Sequence, residues 1–140
     1  MNTTAQPEKK AFGFRLDLHS GVPVYRQIMD QVMGAKAAGT LAAGTQLPTV
    51  RQVAVDLSVN PNTVARAYRE LEIRGVLETQ QGTGTFVSHQ KVKRDDVERR
   101  RQLTQLVDEF VARAGAAGMT IKELEEELNE RSNDSQKQRR

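Results

Sequence analysis

Apolar positions along the chain change their spacing twice, from a helical period to a period of two and back again. From Val24 the apolar residues Tyr25, Ile28, Met29, Val32 and Ala35 fall on one stripe, which predicts a helix that Gly39 stops. Val50, Val53, Ala54 and Leu57 recur at i, i+3, i+4 and i+7. Thr49 and Gln52, three residues apart, supply a capping box at their start, so a short second helix is expected to end near Ser58. Asn60 suits an N-cap and Pro61 the first helical position, where a missing N–H is harmless. The third helix then runs to about Arg74, with Gly75 as its stop.

After Gly75 the pattern alternates. VLETQ and TFVS flank QGTG and read as a β-hairpin with a glycine-containing loop. The segment GTLAAGTQLP, between the first two helices, reads as a turn, and FRLDL at 14–18 as a short strand. Helical spacing returns with Leu103, Leu106, Val107, Phe110, Val111 and Ala114, is broken by GAAG at 115–118, and resumes with Ile121, Leu124 and Leu128 behind a Thr120 and Glu123 capping box.

These elements divide the chain into a flexible N-terminus (1–13), a winged helix-turn-helix (14–90), a two-helix segment (91–130) and a disordered polar tail (131–140). The fold class is mainly α with a small β-hairpin. At 140 residues there is room for one modest core and an appendage, not two full domains. The absence of cysteine excludes disulfides and thiolate metal sites. No apolar run approaches the roughly 18 to 20 residues of a membrane span, and the opening MNTTAQPEKK has no signal-peptide core, so a cytoplasmic location and no membrane partner are expected.

The net charge of +3 suggests a nucleic-acid partner, but its distribution does not. Residues 47–90 hold four Lys/Arg against four Asp/Glu. Any electrostatic case must therefore rest on which face carries the charges. Laid out at 100° per residue, Val64, Ala67, Tyr68 and Leu71 of the third helix fall in one core-facing arc, while Asn62, Ala65, Arg66, Arg69 and Ile73 lie opposite and Thr63 flanks them. Glu70 and Glu72 sit at the edges, so the arginine face holds no acid. One helix with a packing face and a donor face is what a major-groove reader requires. Asn62 and Thr63 suit base edges, Arg66 and Arg69 suit phosphates or a guanine, and the free N–H groups at the helix starts near Thr49 and Asn60 favour phosphate.

PVYRQI at 23–28, QLPTVRQVAVDLSVNPNTVARAYRELEIRGVLE at 46–78 and GTGTFV at 82–87 resemble the DNA-binding domain of GntR-type bacterial transcription regulators. The resemblance spans roughly residues 14–90. It implies that Arg51, in the element Leu47, Pro48, Arg51, contacts the operator, that Asn60–Glu72 is the recognition helix, and that Gln81, Gly82, Thr83 and Gly84 form the wing tip on the minor groove or backbone. The arginine that many relatives carry early in the recognition helix is absent here, which shifts base readout towards the amides and Arg51.

The fifty or so residues after the winged helix are too few for the effector domain of most such regulators, and in this the chain resembles the short YtrA-like subfamily, whose paired C-terminal helices form a dimer. The stripes through Leu103, Leu106, Val107, Phe110, Val111, Ile121, Leu124 and Leu128 fit that reading, because a two-fold partner would bury them; the alternative is that they belong to the core of the chain itself.

The expected function is a homodimeric, sequence-specific DNA-binding regulator, a repressor, acting on a palindromic double-stranded operator without a cofactor or metal; no small-molecule effector is named by the sequence. The competing expectation is a dimeric protein-interaction adaptor that uses the acid-rich ELEEELNE. An enzyme is not expected. His19 and His89 have no carboxylate or hydroxyl pattern beside them, GTGT lacks the strand-to-helix setting of a phosphate loop, and RDDVERRRQ reads as an ion-paired helix start.

Overall fold

The computed structural model describes residues 12–90 and 96–138. They form two units that divide at Gln90, a winged-helix unit and a C-terminal helical unit. In the first, α1 (Val24–Ala38) buries Ile28, Met29 and Val32, α2 (Val50–Leu57) buries Val53 and Ala54, and α3 (Pro61–Ile73) buries Val64, Ala67, Tyr68 and Leu71. These apolar stripes meet in one core, closed by Leu41, Leu47, Leu77 and Val87. Both predicted caps are made: Thr49 Oγ1 accepts the Gln52 N–H at 3.1 Å, and Asn60 Oδ1 accepts the Asn62 N–H at 2.8 Å. The turn joining α2 to α3 is held by Ser58 in the left-handed region (φ 55°) and by the Val59 N–H on the Ala54 carbonyl at 3.0 Å.

β1 (Leu77–Gln80) and β2 (Gly84–Val87) form the antiparallel hairpin, with Leu77 opposite Val87 and Gln80 opposite Gly84. The segment GTLAAGTQLP is not a turn throughout. Its second half lies along the free edge of β2, where Gln46 bridges Phe86, the Leu47 N–H donates to the Thr85 carbonyl at 2.8 Å and the Val87 N–H to the Thr45 carbonyl at 2.8 Å. Burial of the single apolar residue Leu47 pins this third strand-like stretch, too short to show a period in the sequence.

FRLDL is likewise not a strand. It runs extended beside α1, and the side chains of Gln27 and Gln31 take the place of a neighbouring strand. Gln31 accepts from the Arg15 N–H at 2.8 Å and donates to the Arg15 carbonyl at 2.6 Å, while Gln27 does the same for Asp17 at 2.8 and 2.9 Å. Two glutamines one helical turn apart thus satisfy alternate residues of an extended chain. Of the N-terminal segment expected to be flexible, residues 1–11 lie outside the described residues; Phe12 is half-buried, packing against the core and edge-on against Phe14 with ring centroids 4.9 Å apart.

In the second unit, α4 (Asp96–Ala116) opens with Asp96 and Glu98 in its first turn, and Glu98 pairs with Arg101 at 2.7 Å. The Thr120 and Glu123 capping box forms in both directions, at 2.7 and 3.3 Å, and starts α5 (Ile121–Gln138). The tail expected to be disordered is therefore helical to Gln138. Its residues lack an apolar period, and Ser132, Asn133, Asp134 and Ser135 are weak helix formers; Arg131 pairs with Glu127 at 3.0 Å one turn back, and Ser135 Oγ donates back to the Arg131 carbonyl at 2.9 Å. Residues 139–140 are outside the described set.

Candidate nucleic-acid interface

The third helix has the two faces that its sequence predicts. Val64, Ala67, Tyr68 and Leu71 are at most 3% exposed, whereas Asn62, Arg66 and Arg69 are exposed and Thr63 is half-buried. Asn60 spends its carbonyl oxygen on the cap, which leaves its amide N–H groups for an external acceptor. Thr49 similarly accepts from Gln52 and keeps its hydroxyl proton available. Arg51, at the second position of α2, is exposed, as are Gln81, Gly82 and Thr83 at the wing tip. No acid pairs with Arg51, Arg66 or Arg69; the ion pairs among the described residues are Arg26 with Asp30, Arg101 with Glu98 and Arg131 with Glu127. Of the edge acids, Glu72 is engaged by the Thr79 hydroxyl, which ties α3 to β1.

Four consecutive residues, 46–49, join the candidate elements to one another. Gln46 Nε2 donates to the Thr83 carbonyl at 3.2 Å and so holds the wing tip. Leu47 fills the core and bonds β2 through its N–H. The Pro48 carbonyl accepts the Tyr68 hydroxyl of α3 at 2.6 Å, and Thr49 caps α2. Tyr68 is almost fully buried, and burial pushes its phenol above the usual range, so it is a neutral donor here. The wing, α2 and α3 are therefore set against one short strap rather than held independently.

Sequence reasoning missed two residues of this site. Gln46 lay in a segment read as a turn, and nothing local marks it. Tyr25 was assigned wholly to the core stripe of α1, yet its ring also carries the Arg66 guanidinium, whose central carbon lies 3.8 Å from the ring centroid. The position of Tyr25 in the first turn of α1, two residues after Pro23, was the one available signal. The described residues contain no group of His, Asp and Glu arranged to hold a metal, and no helix long and apolar enough to cross a membrane.

In the C-terminal unit Leu103, Leu106, Val107, Phe110, Ile121 and Leu128 are exposed, between 48% and 63%, and Val111 and Leu124 are half-buried. The predicted stripe is present and largely uncovered in the single chain.

Residues 24–87, from α1 to the end of β2, match the family model for bacterial regulatory proteins of the gntR family. The HTH-type transcriptional repressor YtrA of Bacillus subtilis (strain 168) is 35% identical over 121 residues, 86% of this chain and 92% of that protein. Among solved structures, one described as a transcriptional antiterminator from Listeria monocytogenes EGD-e superposes with a TM-score of 0.65 at 30% identity, over 89% of this chain and 92% of its own. YtrA from Sulfolobus acidocaldarius, a GntR-family transcription factor, superposes with a TM-score of 0.53 at 32% identity, over 71% and 97%.

Proposed function

Because the chain belongs to the GntR family of bacterial regulatory proteins, we propose that this DNA-binding transcription regulator is a cytoplasmic homodimeric repressor that reads a palindromic operator, one α3 per half-site. The observation that carries the reading is the division of α3 into a buried apolar face and an exposed face of amides and arginines unopposed by acid. In this reading Asn60, Asn62 and Thr63 meet base edges, Arg66 and Arg69 meet phosphate or guanine, and Thr49 and Arg51 anchor the start of α2. Gln81, Gly82 and Thr83 of the wing meet the backbone or minor groove. The exposed stripe on α4 and α5 is the face a second copy covers, which also supplies the two-fold axis that a palindrome requires. Repression is carried over from the Bacillus subtilis relative's name.

The test is selection of bound sequences from a random DNA pool, followed by gel shifts on the selected operator at several salt concentrations. Wild type is expected to enrich an inverted repeat. Arg51→Ala and Arg69→Ala are expected to weaken binding, and each lost phosphate contact should flatten the slope of log K against log salt by about 0.9. A pool that yields no consensus sequence would overturn the reading.

A further inference from the structure

We infer that Tyr25 is a positioning residue for DNA recognition, holding Arg66 in the orientation in which it meets the operator; the inference rests on the DNA-binding reading above. Arg66 projects from the exposed face of α3, and its guanidinium lies over the Tyr25 ring of α1 at 3.8 Å from the centroid. The ring itself is half-buried and packed against the core, so the platform is fixed by residues that have no part in binding.

The chemistry of the support is what makes it suitable. A guanidinium stacked on a ring uses its flat faces, and all of its N–H donors lie in the plane, where they stay free for a phosphate or for a guanine edge. A carboxylate partner would restrain the side chain equally well but would occupy those donors and cancel the charge. No acid is paired with Arg66 among the described residues; of the two edge acids, Glu70 forms no ion pair among them and Glu72 is engaged by Thr79. An arginine that is already restrained loses less freedom when it docks. Arg69, one turn along the same face, has no ion pair or cation–π partner among the described residues, so the two arginines differ in how far they are ordered before DNA arrives.

The experiment is a double-mutant cycle on the full chain, with affinity measured at fixed salt against the operator selected as above. Arg66→Ala is expected to bind about tenfold more weakly. Tyr25→Leu, which keeps apolar volume without a π face, should lose about two- to fivefold. Tyr25→Phe, which keeps the ring, should bind like wild type, and Tyr25→Leu should cause no further loss in the Arg66→Ala background. Arg66→Lys, which keeps the charge but cannot stack as a plane, should fall to the level of Tyr25→Leu and provides a test that leaves α1 untouched. Equal losses from Tyr25→Leu in both backgrounds, or Arg66→Lys binding like wild type, would overturn the inference while leaving DNA binding intact. A wild-type chain that selects no sequence would overturn both.

Discussion

The hydroxyl of Tyr68, on the core side of α3, donates a 2.6 Å hydrogen bond to the carbonyl of Pro48, the residue immediately before the cap of α2. A buried side chain of α3 thereby fixes the entry of the preceding helix. Tyr68→Phe removes the donor and leaves the carbonyl without it, which is expected to destabilise the winged-helix unit by about 1 to 3 kcal/mol in urea unfolding. Weaker operator binding should accompany this loss, since α2 is no longer held against α3.

The same residue gives the unit an alkaline limit. Burial raises the folded-state pKa of the phenol above its unfolded value, so the stabilisation is complete below the unfolded pKa, about 10, and is lost as pH rises beyond it. Unfolding free energy should therefore fall above about pH 10 in wild type, and the Tyr68→Phe chain should lack that component. Parallel pH profiles for the two proteins would contradict this assignment.

Asn60 combines a cap with a candidate base contact, and two substitutions separate the roles. Asn60→Ala is expected to lose about 1 kcal/mol of stability with the cap, lowering Tm by about 4 to 8 °C. Asn60→Asp preserves an acceptor for the Asn62 N–H and should retain the melting temperature. If α3 enters the groove as proposed, the added carboxylate would repel the polyanionic DNA and should weaken operator binding more than Asn60→Ala does.

At the wing, Gly84 adopts φ 139° and a Cβ there would lie 2.6 Å from Gln46 Nε2, whereas Gly82 has φ 76° with open space around it. Both positions strain an L side chain, but only Gly84 also displaces the amide that holds Thr83. Gly84→Ala is thus expected to lower stability by more than the roughly 1 kcal/mol of backbone strain expected at Gly82→Ala. Gln46→Ala should narrow the difference, and calorimetry of the four chains would show whether it does.

The uncovered stripe of the C-terminal unit predicts a concentration-dependent dimer. Burying one large apolar side chain contributes about 1.5 to 3 kcal/mol, so Leu106→Glu or Phe110→Glu should each raise the dimer dissociation constant at least about tenfold. Sedimentation equilibrium would measure it. A dimer unaffected by both substitutions would put the interface elsewhere.

Much of the architecture is a property of short stretches and was readable in them. The faces of α1, α2 and α3 follow from apolar spacing, and the caps at Thr49, Asn60 and Thr120 from side chains that reach only two or three residues along the chain. Where the reading failed, periodicity was silent or misleading. FRLDL alternates like a strand, but the partner of its backbone is a pair of glutamine side chains on a helix. The polar run after Glu130 has no apolar stripe and includes four weak helix formers, yet α5, with its i, i+4 pair of Glu127 and Arg131, runs on to Gln138.

The sequence by itself determined which helices form, where the capped ones begin, and which of their faces is apolar, because those depend on bonds and contacts within about one turn. Only the tertiary structure decided that Gln46 would hold the wing at Thr83, thirty-seven positions away, that Pro48 would receive Tyr68, and that Arg66 would rest on Tyr25. Each of these joins single polar or aromatic groups distant in the chain. No local pattern selects such a partner; it is chosen when the shared core, closing over Val64, Leu71, Leu47 and Val87, brings the segments that carry them together.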